Sequence, residues 1–159
     1  MQGRLRKGST AEQDLIPQPI TFRRVLGIDP SLRGTGYGIV ERQGGGQRLI
    51  EAGTIHCPAS LSKSRCLAMI ASRIRDLIAR NSPDVCVVEG LFFAQNLKTA
   101  ITMGEARGAS LAMVAEAELD IFEISPRAAK LAIVGFGGAQ KLAVAKMVQR
   151  ILGLEEPPE

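Results

Sequence analysis

Two acidic residues, each at the end of a short apolar run, are the first candidates for chemistry in this sequence. Asp29 ends the run RVLGID and precedes Pro30, and Glu89 ends DVCVVE and precedes Gly90. A carboxylate at the end of a buried strand is costly to hold unless it caps a turn or binds a cation. Asp-Pro is also a common start of a turn, so this stretch alone leaves both a turn role and a metal role open for Asp29.

The nitrogen and sulfur side chains offer less chemistry. The sequence has one histidine, His56, and three cysteines, Cys57, Cys66 and Cys86, without paired spacing. This set is too small for a zinc site, and an odd number argues against a disulfide framework, so we expect free thiols. His56 and Cys57 are adjacent, and neighbours on a strand point to opposite faces, which argues against a nucleophile and base pair.

Positive charge is concentrated in two segments of a chain whose formal net charge is +4. Residues 1–24 hold five of the twenty Lys and Arg residues and two acids. The segment 124–154 has no acid and carries five cations, namely Arg127, Lys130, Lys141, Lys146 and Arg150. Such segments suit an anionic partner, most commonly a phosphate backbone, although a solvated helical face has the same composition.

Length and composition are those of one compact domain with an additional leading segment. The 159 residues are 45% hydrophobic, which is enough to build a proper core. The longest apolar runs are too short to cross a bilayer and the first residues lack an apolar signal region, so we expect a soluble, cytoplasmic protein without a membrane partner. Residues 1–23 show little periodicity and are predicted to be a flexible N-terminal extension.

The elements that must position the two acids follow from the hydrophobic periodicity. The stretch 24–40 predicts a strand, a tight turn and a second strand, and residues 47–55 predict a third strand in an antiparallel meander. The run 84–89 is apolar on both faces, as expected for a strand in a parallel part of a sheet. If that strand lies parallel to the first and beside it, Asp29 and Glu89 meet at the same carboxyl edge, where α/β proteins gather their sites.

Helices and one further strand complete the predicted order. Helical spacing of apolar residues, a Ser-Pro start at position 125 and glycine stops predict helices over 62–80, 97–118, 126–135 and 138–152, and a strand over 119–124. In the second helix Gly104 and Gly108 lie four residues apart among alanines, which fits either a core helix or a subunit interface. This order predicts an α/β protein with a five-stranded mixed sheet flanked by helices.

Several ordered motifs resemble those of the RuvC Holliday-junction resolvases, which belong to the RNase H-like superfamily. The matching segments are LGIDPSLRGTGYGIV at 26–40, VVEGLFFAQN at 87–96, GEARGASLAMV at 104–114 and RAAKLAIVGFGGAQK at 127–141. The likeness runs from about Arg24 to Leu154. It implies an RNase H-like nuclease domain over residues 24–159.

The resemblance implies a metal-dependent endonuclease that cuts four-way DNA junctions in recombination and repair. By motif match, Asp29 and Glu89 would be the catalytic, metal-binding carboxylates, with Mg²⁺ as the cofactor and Mn²⁺ as an alternative, because hard oxygen ligands suit these ions. Members act as homodimers, and Gly104, Gly108 and Ala112 match the dimer region of the family. The family also implies junction-migration proteins as partners.

Four further residues match positions that contact DNA in the family. Phe92 matches an aromatic that stacks on unpaired bases at the junction centre, although core packing beside Phe93 is the alternative. Lys130 and Lys141 match positions implicated in phosphate contacts near the cut site, where a lysine acts as a point charge. Arg127 is a further candidate for such a contact.

One family motif is missing from this sequence. Members complete the metal site with two aspartates spaced D-x-x-D on a C-terminal helix, and no D-x-x-D occurs here. The sequence does contain acids near its end, namely Glu155, Glu156 and Glu159, but they precede the position where that pair should begin. Glu159 is a poor replacement for an aspartate ligand, because the last residues of a chain are usually mobile. We therefore expect a C-terminally truncated domain, either a fragment or a natural truncation, which binds branched DNA but cleaves it very slowly.

Three other functions are compatible with parts of the sequence. The missing acids favour a non-catalytic module that binds branched DNA. The acid, glycine and threonine of the first hairpin also occur in nucleotide-binding proteins of the actin and sugar-kinase class, which need a second domain that 159 residues do not hold. A related RNase H-like domain acting on RNA would keep the same site with a different substrate.

Overall fold

The computed structural model describes residues 22–90 and 96–158, which form a mixed sheet with helices on both of its faces. The elements in chain order are β1 (Arg24–Asp29), β2 (Gly34–Gln43), β3 (Gly46–His56), α1 (Lys63–Asn81), β4 (Val85–Glu89), α2 (Leu97–Glu116), β5 (Asp120–Ile124), α3 (Pro126–Val134) and α4 (Lys141–Leu152). Within the described residues, no helix is long and apolar enough to cross a membrane.

The sheet has the strand order β3-β2-β1-β4-β5. Strands β1, β2 and β3 are antiparallel neighbours, and β4 lies parallel to both β1 and β5. The meander and the parallel β1–β4 pair that the sequence predicts are therefore confirmed. The helices α1 and α2 are the crossovers that lead into the two parallel pairs, as parallel pairing requires.

One face of the sheet packs against α1 and α2 and forms the core. Leu26 and Ile28 of β1 and Val88 of β4 point to this face and are buried. The helix α1 meets them with side chains spaced on one face, namely Cys66, Ile70, Ile74 and Leu77. Burial of this apolar surface is the main stabilising contribution to the domain.

The opposite face of the sheet carries the other set of side chains and is covered incompletely. Residues alternate between the faces of a strand, so Asp29 and Glu89 point away from the core face that holds Ile28 and Val88. The helices α3 and α4 lie on this second side, and α4 contacts β3. Neither helix contains a buried residue, so both are attached to the body by partial contacts.

Two helix boundaries differ from the predicted ones for reasons of backbone geometry. The predicted helix over 97–118 is two residues too long, because α2 ends at Glu116 and Glu118 takes a positive φ of 57°. The last helix begins at Lys141 instead of Gly138, because the preceding residues form a turn in which Ala139 N donates to Phe136 O at 3.1 Å. Gly135 ends α3 in the left-handed conformation, which favours glycine.

The cysteines behave as the sequence predicts, since Cys57, Cys66 and Cys86 are free and buried. His56 is exposed, so it points away from its buried neighbour Cys57. Three regions with predicted roles lie outside the described residues: most of the N-terminal extension (1–21), residues 91–95 with Phe92 and Phe93, and Glu159.

Candidate active site

The structure brings Asp29 and Glu89 together at the carboxyl ends of two adjacent parallel strands. Ile28 of β1 is in register with Val88 of β4, so the acids that follow them lie side by side. A Cβ atom added at Gly36 would lie 3.6 Å from the Asp29 Cβ, so glycine leaves the surface beside this carboxylate open. Asp29 is exposed and Glu89 is partly buried.

The turn after Asp29 is closed by other residues. The buried hydroxyl Oγ1 of Thr35 donates to the Ser31 carbonyl at 2.6 Å and accepts from the Ser31 backbone N–H at 3.2 Å. Among the described hydrogen bonds of this turn, none uses the Asp29 carboxylate. The Asp29 carboxyl is instead within hydrogen-bond reach of the Glu89 carboxyl, so it takes part in the acid pair and not in the turn, which favours the metal role over the turn role.

Arg107 of α2 fixes the end of β4 from the core side of the sheet. Its Nη1 donates to the Glu89 carbonyl at 2.6 Å and its Nη2 donates to Glu123 Oε2 at 2.5 Å. Only 14% of the Arg107 side chain is exposed, so its hydrogen bond to the Glu89 carbonyl is largely shielded from solvent. Sequence reasoning assigned Arg107 no role, and its only signal was a cation inside the small-residue motif GEARG.

The electrostatics of the pair are those of two like charges held close. Burial raises the pKa of the Glu89 carboxyl above its usual value, and the neighbouring Asp29 carboxylate raises it further. The Lys130 ammonium acts in the opposite direction and lowers this pKa. A cation between the two acids would relieve their repulsion.

A cleft of ≈ 460 Å³ opens between Glu89 and the helices α3 and α4. Lys130 of α3 and Lys141, the first residue of α4, line it together with the apolar side chains Val144, Ala145 and Val148. Ser125 positions Lys130 because its Oγ accepts from Ala128 N at 3.0 Å and so caps α3. The structure therefore places both predicted phosphate-binding lysines beside a predicted metal ligand.

Arg127, another predicted DNA contact, does not line this cleft. Arg127 is exposed and packs across the α3–α4 turn, where a Cβ at Gly137 would lie 2.6 Å from its Cγ. Phe92 belongs to residues 91–95, outside the described residues, so its stacking role stays a prediction.

Helix α2 packs into the core through one of its sides, and the subunit-interface role of Gly104, Gly108 and Ala112 stays a prediction. The helix buries Ala106, Ser110 and Val114, and the predicted interface residues lie on the other side. Gly108 is exposed, and a Cβ atom added at Gly104 or Gly108 would meet nothing within 4 Å. The same stripe includes Ala112 and two large apolar side chains with high exposure, Leu97 (76%) and Ile101 (52%).

The donor chemistry of the pair fits a hard divalent cation. Asp29 and Glu89 supply carboxylate oxygens, which are the ligands that Mg²⁺ and Mn²⁺ prefer. Across residues 22–90 and 96–158, no group of three or more His, Cys, Asp or Glu side chains is placed to hold a metal ion. The described part of the site is therefore a two-carboxylate arrangement.

Comparison with known proteins places this geometry in a family. Residues 25–159 match the family model described as crossover junction endodeoxyribonuclease RuvC. The curated protein of that name from Chloroflexus aggregans is 42% identical over 135 residues, which are 85% of this chain and 82% of the relative. The one from Akkermansia muciniphila is 45% identical over 136 residues, which are 86% and 81% of the two chains.

Solved structures give the same result. The structure of T. thermophilus RuvC in complex with a Holliday junction substrate superposes with a TM-score of 0.82 at 32% identity and covers 86% of this chain and 84% of that chain. A yeast mitochondrial Holliday junction resolvase, 12% identical with a TM-score of 0.61, shares the fold. The predicted fold class, a five-stranded mixed sheet of the RNase H type flanked by helices, is confirmed.

Proposed function

The chain belongs to the RuvC family of crossover junction endodeoxyribonucleases, and we propose that it hydrolyses phosphodiesters at four-way DNA junctions in recombination and repair. The observation that carries this function is the juxtaposition of Asp29 and Glu89 on neighbouring parallel strands, beside a cleft lined by Lys130 and Lys141. The geometry supplies negative charge for a cation and positive charge for a phosphate within one site.

Asp29 and Glu89 would hold the divalent metal, with Mg²⁺ as the proposed ion and Mn²⁺ as the alternative. When bound, such an ion activates water and stabilises the leaving oxygen of a phosphodiester. In the hydrolysis a water oxygen bonds to phosphorus, the bond from phosphorus to one sugar oxygen breaks, and that oxygen gains a proton. Arg107 holds the Glu89 backbone in place for this role through its hydrogen bond to the Glu89 carbonyl.

The two lysines act on the substrate. Lys130 and Lys141 present ammonium groups to the same cleft as Glu89, where they offset the charge of DNA phosphates that approach the acids. They read no sequence, because an ammonium group on a phosphate carries no information about the base. This arrangement suits a structure-selective enzyme.

A cleavage assay with a labelled four-way junction and Mg²⁺ tests the proposal. We expect junction-specific nicking that is lost, by at least about a hundredfold, in Asp29→Asn and in Glu89→Gln, because each change removes a metal-binding carboxylate. Junction binding in Ca²⁺ should change by less than about threefold in the same variants, since the DNA contacts are made by other residues.

Asp120→Asn is the matched control for this assay. Asp120 is an exposed carboxylate at the start of β5, where it pairs with Val85 at the start of β4. It therefore lies at the amino ends of the parallel strands, whereas Glu89 lies at their carboxyl ends. Its removal should leave cleavage unchanged. Equal loss of cleavage in Asp120→Asn, or full activity in Asp29→Asn, would contradict the assigned site.

We propose that two copies of the chain associate through the solvent-facing stripe of α2 that contains Gly104, Gly108 and Ala112. Two sites related by a two-fold axis suit symmetric nicking of opposing strands. The stripe faces away from the core, and the cleft lies beyond the other face of the sheet, so association through α2 leaves the cleft open. Junction-migration partners and a cytoplasmic location stay predictions of the family resemblance.

A protein that binds branched DNA without cutting it is the second candidate. The observation that favours it is the pairing of two carboxylates, because a site for two metal ions needs more negative charge to offset cation repulsion. Tight junction binding with no Mg²⁺-dependent nicking by the 159-residue polypeptide would select this candidate.

A further inference from the structure

The turn between α3 and α4 presents an aromatic ring to solvent. Phe136 is 65% exposed, and its ring lies directly over the backbone of Gly138. A Cβ atom at Gly138 would come within 2.8 Å of the Phe136 Cζ, so the ring can lie there only because residue 138 has no side chain. The turn is further tied by the hydrogen bond from Ala139 N to Phe136 O at 3.1 Å, and Ala139 itself is buried.

Cations flank this ring on both sides in the chain. Arg127 packs across Gly137 in the same turn, and Lys141 begins α4 directly after it. The segment 124–154, which contains the turn and both helices, has no acidic residue. A second apolar side chain, Leu142, is 61% exposed beside Lys141. The surface therefore combines exposed aromatic and aliphatic side chains with positive charges, and the segment supplies no negative charge.

Core packing does not account for these exposed side chains. The helices α3 and α4 contain no buried residue, so the apolar side chains near the turn contribute little to a core. Lys141 also lines the cleft that contains Glu89, so this surface is continuous with the candidate active site. Lys141 follows Ala139 of the turn by two residues, so it connects the cleft to the turn that carries Phe136.

We propose that Phe136 is a DNA contact in which its ring packs on a base or sugar of the strand that leaves the cleft, while Arg127 and Lys141 contact the flanking phosphates. The proposal rests on the proposed function. Nucleic acid is the occupant that the charge favours, because it offers regularly spaced anions together with apolar base and sugar faces. An apolar protein segment would use the ring but would leave the acid-free, basic surroundings without a counterpart.

Salt-dependent binding of the four-way junction by the 159-residue chain, measured in Ca²⁺ or EDTA, tests this contact. Stacking on an aromatic is insensitive to salt, whereas a phosphate contact releases counterions. Phe136→Ala should weaken binding about tenfold with an unchanged slope of log affinity against log salt. Lys141→Gln should reduce the slope by about one. Phe136→Tyr, which keeps the ring, should retain most of the affinity.

Ile151→Ala is the matched control, because Ile151 is a partly exposed apolar residue (44%) at the far end of α4. It should bind as wild type does. Unfolding curves of all variants should coincide within about 2 °C, since Phe136 is largely exposed. Wild-type affinity in Phe136→Ala, with tight junction binding by the unmodified protein, would overturn this contact and leave the proposed function standing. Failure of the unmodified protein to bind junctions would overturn both.

Discussion

At the scale of single residues, the Asp29–Glu89 pair is held close by the pairing of the two strands that carry it. The parallel register of β1 and β4 fixes the two backbones, and Arg107 anchors the Glu89 carbonyl from the core side. The raised pKa of Glu89 reports that the folded protein disfavours its charged form when no cation is bound. Perturbed carboxylates of this kind cluster at functional sites.

Glu89→Gln is therefore expected to stabilise the metal-free protein. A carboxyl whose pKa is raised by folding destabilises the fold above that raised pKa, and the penalty disappears as the pH falls below the ordinary value for Glu. Solvent screening limits the effect, so we expect Tm to rise by about 2 °C at pH 8 in EDTA and to be unchanged near pH 4. Thermal unfolding followed by circular dichroism from pH 4 to 8 measures this difference.

Addition of Mg²⁺ supplies the internal check on that prediction. The ion should raise the Tm of the wild type at pH 8 and raise that of Glu89→Gln much less, because the variant lacks one ligand. Asp120→Asn should respond to Mg²⁺ as the wild type does. A Glu89→Gln variant that melts below the wild type in EDTA at pH 8 would show that the two carboxylates do not oppose each other.

Sequence reasoning found Asp29 and Glu89 because each ends an apolar run, and parallel strands align their carboxyl ends. It could not find Arg107, whose contact is with a backbone carbonyl 18 residues earlier in the chain. Such a contact depends on how α2 crosses β4 and leaves no periodic pattern in the sequence. Thr35 was missed for a different reason: its hydroxyl makes a local hydrogen bond to the carbonyl of Ser31, four residues earlier, and a threonine in a turn has no pattern that predicts this bond.

At the scale of elements, strand and helix identities followed from periodicity and caps, whereas their degree of packing did not. Ser125-Pro126 correctly predicted the start of α3, since the serine caps and the proline suits the first turn. The amphipathic pattern of α4 suggested a helix with a packed face, yet neither α3 nor α4 buries a residue. Packing depends on what lies opposite a helix, and one sequence pattern does not encode that.

The caps of α2 and α3 should consequently differ in their effect on the whole protein. Ser125 Oγ accepts from Ala128 N at 3.0 Å, and the Asn96 Oδ1 accepts from Thr99 N at 2.9 Å. Loss of either bond costs about 1 kcal/mol. In Asn96→Ala this cost should lower Tm by about 3 °C because α2 packs in the core, whereas in Ser125→Ala it should leave Tm nearly unchanged.

Hydrogen exchange detected by mass spectrometry locates the loss in the second variant. Amides of α3 and α4 should exchange faster than those of α1 in the wild type, and faster again in Ser125→Ala. Junction DNA should slow their exchange by occupying the cleft beside Lys130 and Lys141. Protection of α3 equal to that of α1 would contradict the loose attachment of this helix pair.

At the scale of the whole molecule, two of the exposed apolar regions among the described residues lie on different sides of the sheet. Helix α2 covers the core face of the sheet, and its stripe with Leu97 and Ile101 lies on the outer side of the helix. The α3–α4 turn with Phe136 lies beyond the opposite face of the sheet. Exposed apolar side chains gathered in this way mark interaction surfaces. A dimer formed through α2 can therefore bind DNA in both clefts at once.

Gly108→Arg should separate the dimer without harming the fold of the subunit. A side chain at Gly108 meets nothing within 4 Å in the subunit, and replacing a helical glycine by arginine gains up to about 0.8 kcal/mol of helix propensity. In a dimer that brings two α2 stripes together, the same side chain would block close approach. Light scattering should give twice the chain mass of 17.0 kDa for the wild type and the single mass for the variant.

Ser72→Arg is the matched control, because Ser72 is an exposed position on α1 and receives the same charge and bulk. It should remain dimeric. The Gly108→Arg monomer should bind four-way junctions more weakly than the dimer, by roughly tenfold or more, because the loss of one of two linked binding sites removes avidity. Its affinity for a linear duplex should change little. A wild-type chain that is monomeric at tens of micromolar would contradict the proposed association. A dimeric Gly108→Arg would place the interface elsewhere, since the two-fold axis must then pass through a different surface.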